Sequence, residues 1–270
     1  MRAMQILKSP DEIPLAEKIP IYTESGVEIK NYKGIKIGNN VVAINSVRYN
    51  LLQHRVVAQT LRTVLEELKE YVIGREYTWG GRYVAELITT QPIERIGEDF
   101  KLMVLIKNSY DGTLALSIRG AAMRMMCMNI LTGILPKEMQ WVVPELNAAI
   151  GEGLYNKHTN ITIANNLDKK INYGIKVVER TVLLGFSIYE KLKLIKVDTE
   201  MRHEFIDNLK EKLPSKYSNQ IKIGSDTLWD LYNSATQVLT HRVQNPERML
   251  QLSDTVKKEI LRLAQKYVTK

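Results

Sequence analysis

Apolar side chains recur at Val57, Leu61, Val64, Leu65, Leu68 and Val72 within "YNLLQHRVVAQTLRTVLEELKEYVIG". Steps of three and four residues line one face of a helix. The spacing predicts a helix over about residues 52–72, stopped by Gly74 as a C′ glycine. Around it the period changes to two. "VEIKNYKGIKIGNNVVAINSVRY" alternates between short β-branched runs punctuated by Gly34, Gly38 and the Asn39–Asn40 pair. That reads as two or three strands joined by tight turns. "REYTWGGRYVAELITTQPIERI" sets Gly80–Gly81 between two strand-like runs. "FKLMVLIKN" is a continuous apolar strand of the kind buried on both faces.

"NSYDGTLALSIRGAAMRMMCMNIL" follows. Asp111–Gly112 signals a hairpin turn that needs positive φ. Beyond it Leu114, Leu116 and Ile118 alternate with Ala115, Ser117 and Arg119, one set facing a core and the other an open side.

From about residue 145 the pattern becomes helical. "LDKKINYGIKVVERTVLLGFSIYEKLKLI" and "EMRHEFIDNLKEKL" are amphipathic, the second ending before Pro214. "SDTLWDLYNSATQVLTHRV" and "SDTVKKEILRLAQKYV" each open on capping residues. Trp229 falls on the apolar stripe, while His241 and Arg242 close their helix where positive charge suits the dipole. The expected fold class is α+β, with a curved antiparallel β-rich N-terminal half packed on a long helix and a helical C-terminal half. The expected divisions are an irregular lead-in over 1–26, marked by Pro10, Pro14 and Pro20, a β-rich core over 27–140 and a helical region over 141–270.

Composition narrows the classes. The chain has 270 residues and one cysteine, Cys127, so no intramolecular disulfide forms. This fits a reducing, cytoplasmic setting inside a host cell. No segment reaches the ~18 consecutive apolar residues of a membrane span, so no membrane partner is expected. Lys plus Arg number 38 against 30 Asp plus Glu, a net charge of +8. Excess positive surface attracts polyanions, and the Lys, Glu and Ile content has a thermophile character.

Catalytic patterns are missing. There is no GxxxxGK[ST] loop, no GxGxxG after a strand, and no HxxxH or CxxC pair. The histidines, His54, His158, His203 and His241, are scattered and read as surface residues. Cys127 lies among Met125, Met126 and Met128, which favours a buried, inert thiol. Neither a cofactor nor a metal is expected, and the chain reads as a non-enzyme.

Several stretches resemble a known family. "VAINSVRYNLLQHRVV" is similar to the strand–Tyr–Gln–helix segment of the phage- and plasmid-borne family known as domain of unknown function nine-three-two. "NSYDGTLAL" resembles its Asn-Ser-His-Asp-Gly-Ser turn, with Tyr110 in place of the His. "MRMMCMNIL" matches another segment at Arg124, Cys127, Asn129 and Leu131, and "TLWDLYNSATQVLTHR" a late helix at Trp229, Asn233, Thr236 and His241. The resemblance implies a place on a mobile element, with a role in replication, recombination or host defence. By looser fold analogy, single-strand annealing recombinases combine a sheet, a packed helix and a basic groove, and assemble into rings.

The expected function is nucleic-acid binding for a virus or plasmid, in the form of single-stranded DNA binding or annealing by a homo-oligomer. The candidate phosphate contacts are Lys107, Arg119 and Arg124, joined by Arg48, Arg75 and Arg82 on the flanking strands. Trp79 and Tyr110 are the candidate base-stacking residues. One alternative is a host-interaction or anti-defence factor with an acidic protein partner. A weaker one is a metal-dependent nuclease built on Glu98, Asp99 and Asp111.

Overall fold

The computed structural model describes residues 5–95, 97–111, 116–125, 130–132, 155–156, 166–221, 226–243 and 246–268. The expected turn glycine Gly112 and the Cys127 thiol lie outside these residues, as does the Arg124 side chain. The fold is α+β, with antiparallel sheets in the first half and helices in the second. Two compact units divide the chain. One comprises Met1–Thr90, Met103–Arg119 and Gly153–Val178; the other comprises Gln91–Leu102, Gly120–Glu152 and Glu179–Lys270.

The larger sheet contains β1 (Gln5–Ile6), β5 (Tyr71–Trp79), β6 (Arg82–Thr89), β8 (Glu98–Ser109), β9 (Leu116–Arg124) and β10 (Ile130–Thr132), in that spatial order. β7 (Ile93–Arg95) pairs with β8, and β11 (Tyr155–Asn156) with β9. β8 is buried continuously from Leu102 to Ser109, the two-sided burial its unbroken apolar run implies.

A second sheet holds β2 (Ala16–Tyr22), β3 (Glu28–Ile37) and β4 (Asn40–Ser46) in sequential order. Gly38, at φ +54, turns β3 into β4, whereas Gly34 lies inside β3. Part of the segment expected to be an irregular lead-in is therefore a strand. Pro20 is accommodated because β2 is an edge, where no ladder donor is required. Ala16, Ile35, Tyr49 and Tyr110 form a buried cluster beneath this sheet.

Helix α1 (His54–Glu67) buries His54, Val57, Ala58, Leu61 and Val64. It is shorter than the expected 52–72. The chain leaves it at Leu68, and Tyr71 and Val72 already belong to β5. Gly74 is no cap. It lies at a register shift between β5 and β6, where an added Cβ would come within 2.5 Å of Ile88 Cδ1. Arg62 anchors α1 to β5 through a two-pronged pair with the buried Glu76, at 3.1 and 2.6 Å. Glu76 also accepts a 2.5 Å hydrogen bond from the Tyr83 hydroxyl.

The helices that follow are α2 (Leu167–Leu194), α3 (Thr199–Lys212), α4 (Ser215–Ser218), α5 (Leu228–Arg242) and α6 (Pro246–Val268). Asp198 caps α3 by accepting from Met201 N at 2.8 Å, and Thr227 with Asp230 forms a capping box on α5. Trp229 is buried as its stripe implies, beside Tyr189 and Tyr232. The last helix does not start at Ser253-Asp254. It runs unbroken from Pro246, a residue suited to the first helical turn, and Ser253 is buried within it.

Candidate nucleic-acid interface

The β5–β6 hairpin turns on Gly80 and Gly81, at φ +53 and +83. Two consecutive positive φ values make the tight turn that matches strand twist, and glycine adopts them without strain. Trp79 and Arg82 are the register pair that closes it. Following the register inward, Arg75, Tyr77 and Trp79 share one sheet face with Arg82, Val84 and Glu86 of β6 and with Leu105, Lys107 and Ser109 of β8. The other face carries Glu76, Tyr83 and Asn108, which engage α1.

Four of the eight candidate residues thus lie on one face, but in different states. Arg75 is largely exposed and pairs with the buried Glu86 at 2.7 Å. Arg82 is partly exposed and lies 3.3 Å from Asp111. Trp79 is half-buried and stacks on Tyr77 with centroids 5.5 Å apart. Lys107 is only 3% exposed, so it is no surface phosphate contact. Arg119 is partly buried in β9, and Arg48 is exposed after β4.

Tyr110 is a correction of a different kind. It is fully buried, not a stacking platform at a loop tip. Its ring stacks on His54 at 3.7 Å. Its hydroxyl accepts from His54 N–H at 2.8 Å and donates to Gln53 Oε1 at 3.2 Å. The first backbone donor of α1 is thereby satisfied by a tyrosine instead of a capping side chain. Burial pushes the Tyr110 hydroxyl up to about 12 and raises that of Tyr49, so both remain neutral donors.

His54 is likewise buried, contrary to a surface reading. Its Nδ1 accepts from Asn108 Nδ2 at 2.9 Å, and its Nε2–H donates to the Gly81 carbonyl at 3.0 Å. Asn108 Nδ2 also donates to Leu52 O at 3.0 Å, which orients the amide and fixes the neutral Nε2–H tautomer. Asn45 donates to the Tyr110 carbonyl at 2.6 Å, and Tyr49 to the Ser109 carbonyl at 2.8 Å. The segments "INSVRYNLLQH" and "NSY" (108–110) therefore meet in one polar network.

That network supports a cleft of about 170 Å³ beside the glycine turn. Trp79, Arg82, Thr78 and Asn40 line it, with Ile13, Pro14 and Ile37 as apolar wall and His54 at its inner side. Sequence reasoning found Trp79 and Arg82 but not Asn40, Thr78 or His54. The recurrence of Tyr49, Gln53 and His54 at a helix opening was the available signal for the network. Among the described residues no three His, Cys, Asp or Glu side chains group to hold a metal, and Asp111 is engaged by Arg82. None of their helices is long and apolar enough to cross a membrane.

No family model, curated protein or solved structure matches the chain.

Proposed function

We propose that the protein binds nucleic acid, preferentially single-stranded, in the replication or recombination of a virus or plasmid, and that it holds strands for annealing. The observation that carries this is the cleft at the β5–β6 turn. There Trp79 and Arg82, at the two ends of the glycine turn, line one small opening together with Thr78 and Asn40. A base can stack on Trp79 while Arg82 exchanges Asp111 for a phosphate, and such stacking tolerates any base. Single strands suit an opening of about 170 Å³, because an unpaired base can enter it and a paired one is held in its stack. The net charge of +8 supplies long-range attraction. The resemblance to a phage- and plasmid-borne family supports the setting.

The test is a binding panel of single-stranded DNA, duplex DNA and RNA, with Trp79→Ala beside the wild type. Single strands should bind tightest. Trp79→Ala should cost about 1–3 kcal/mol of that affinity, as removal of one stacked base does. Equal affinity for duplex, or no effect of Trp79→Ala, would overturn the reading.

A further inference from the structure

We propose that Asp111 is a built-in competitor of the ligand: its carboxylate holds the Arg82 guanidinium in place of a phosphate and limits how tightly the cleft grips a strand. The inference rests on the reading of the cleft as a single-strand site and adds the regulation of that site.

The residues just before the pair set its place. Arg82 follows Gly81 and Asp111 follows Tyr110, and the Tyr110 N–H donates to the Gly81 carbonyl at 2.9 Å. Gly81 is held a second time, by His54 Nε2 on the same carbonyl. Tyr110 is pinned by its ring, which is buried against His54, and by its carbonyl, which accepts from Asn45 at 2.6 Å. The backbone therefore delivers a carboxylate beside the guanidinium that lines the cleft, with or without a ligand.

The geometry is that of a contact that can be exchanged. Arg62 meets Glu76 at 2.6 Å, Arg75 meets Glu86 at 2.7 Å and Arg262 meets Glu259 at 2.7 Å, and in each the carboxylate side chain is no more than 2% exposed. A buried carboxylate cannot give up its arginine without being stranded. Asp111 differs on both counts. It lies 3.3 Å from Arg82, and its side chain is 21% exposed. Water can replace the arginine there, so parting the two costs no more than about fivefold in affinity. Carboxylate and phosphate accept the same charge-assisted hydrogen bonds from a guanidinium. The two anions thus compete for Arg82. Annealing ends in release of the paired product, and a carboxylate waiting beside the arginine favours that release.

The test uses the full chain with two probes: a fluorescein-labelled oligothymidine read by anisotropy, and inorganic phosphate read by the NMR shift of the Arg82 Nε–H. Asp111→Asn should bind the oligonucleotide about two- to fivefold tighter than the wild type, the scale of a partly exposed ion pair. Its Arg82 Nε–H should respond at a correspondingly lower phosphate concentration. In an Arg82→Ala background, Asp111→Asn should change oligonucleotide affinity no further. Glu12→Gln removes an equal charge from the exposed segment leading into the Ile13 wall, and it should give a smaller gain. Oligonucleotide binding without a gain in Asp111→Asn, a gain that persists without Arg82, or an equal gain in Glu12→Gln would overturn the proposal and leave the nucleic-acid reading standing. A phosphate gain in a protein that binds no oligonucleotide would do the reverse, and binding of neither probe would overturn both.

Discussion

His54 and Tyr110, 56 residues apart in the chain, stack with ring centroids 3.7 Å apart and planes within 10°. The contact joins the start of α1 to the end of β8, and both residues also hold Gly81. Its carbonyl accepts from His54 Nε2 and from Tyr110 N–H. The turn that presents Trp79 and Arg82 is therefore set by a buried network and not by its own two glycines alone.

Tyr110→Phe keeps the ring and removes the hydroxyl. His54 N–H then loses its acceptor in a buried place, which should cost about 1–3 kcal/mol. Tyr110→Ala also forfeits the stacked ring, and a loss of about 3–5 kcal/mol is expected, the usual range for a buried aromatic. Urea denaturation of the three proteins checks the order. Equal stability of Tyr110→Phe and wild type would show that the hydroxyl caps nothing.

Arg62 and Glu76 make the second prediction. The carboxylate is only 3% exposed and is held by Arg62 and by Tyr83. Removing one partner of such a pair strands a buried charge, typically at 3–5 kcal/mol. Arg62→Ala should therefore lower stability by about that much. The double change Arg62→Met, Glu76→Leu should recover part of the loss, because it leaves no charge buried although the Tyr83 hydroxyl loses its acceptor. Thermal melts distinguish this from a loss due to packing, which the double change would not reverse.

Acid sensitivity should come from α3 and α6. Burial opposes ionisation of Glu259, yet Arg262 and Lys212 hydrogen-bond its carboxylate and hold it below the ordinary range. Lys266 and Arg262 lower Glu204 in the same way. A carboxyl with a depressed folded value binds protons more readily when unfolded, so acid favours the unfolded state. The stabilisation is complete above the unfolded value of about 4.3 and is lost as pH falls through the folded value. The melting temperature should drop between about pH 5 and pH 3. Glu259→Gln should melt lower at pH 7 and show a shallower drop; a parallel pH profile would contradict this.

The parts legible from sequence were those written locally. The Gly80–Gly81 pair between alternating runs specified its hairpin, and the 3.6-residue spacing specified α1 up to Leu68. The boundary failed because Leu68 and Val72 continue a helical spacing, while the ladder from Tyr71 to Trp79 against β6 wins that segment for the sheet. Tyr110 was read as exposed because it flanks an Asp–Gly turn. Its burial depends on His54, Gln53 and Asn45, which only the folded chain brings near. Lys107 failed for a related reason. Alternation says which residues share a face, but not that a face is covered.

Arg82 and Lys107 provide the sharpest test, since they share a sheet face and differ in access. Arg82 borders the cleft with part of its side chain exposed, whereas Lys107 is 3% exposed. A residue that contacts phosphate releases a counterion, and its loss should reduce the slope of log affinity against log salt by about 0.7 for single strands. Arg82→Ala should show that reduction with little loss of stability, because a partly exposed ion pair contributes about 0–1 kcal/mol. Lys107→Ala should do the reverse. Its ammonium has no path to a bound strand, so the slope should stay unchanged. The substitution also leaves a cavity where a buried side chain stood, so the melting temperature should fall by several degrees. Salt titration and melting on both variants separate the roles. An unchanged slope in Arg82→Ala would remove the cleft as the place where the backbone is held, and a reduced slope in Lys107→Ala would mean that this face opens when a strand binds.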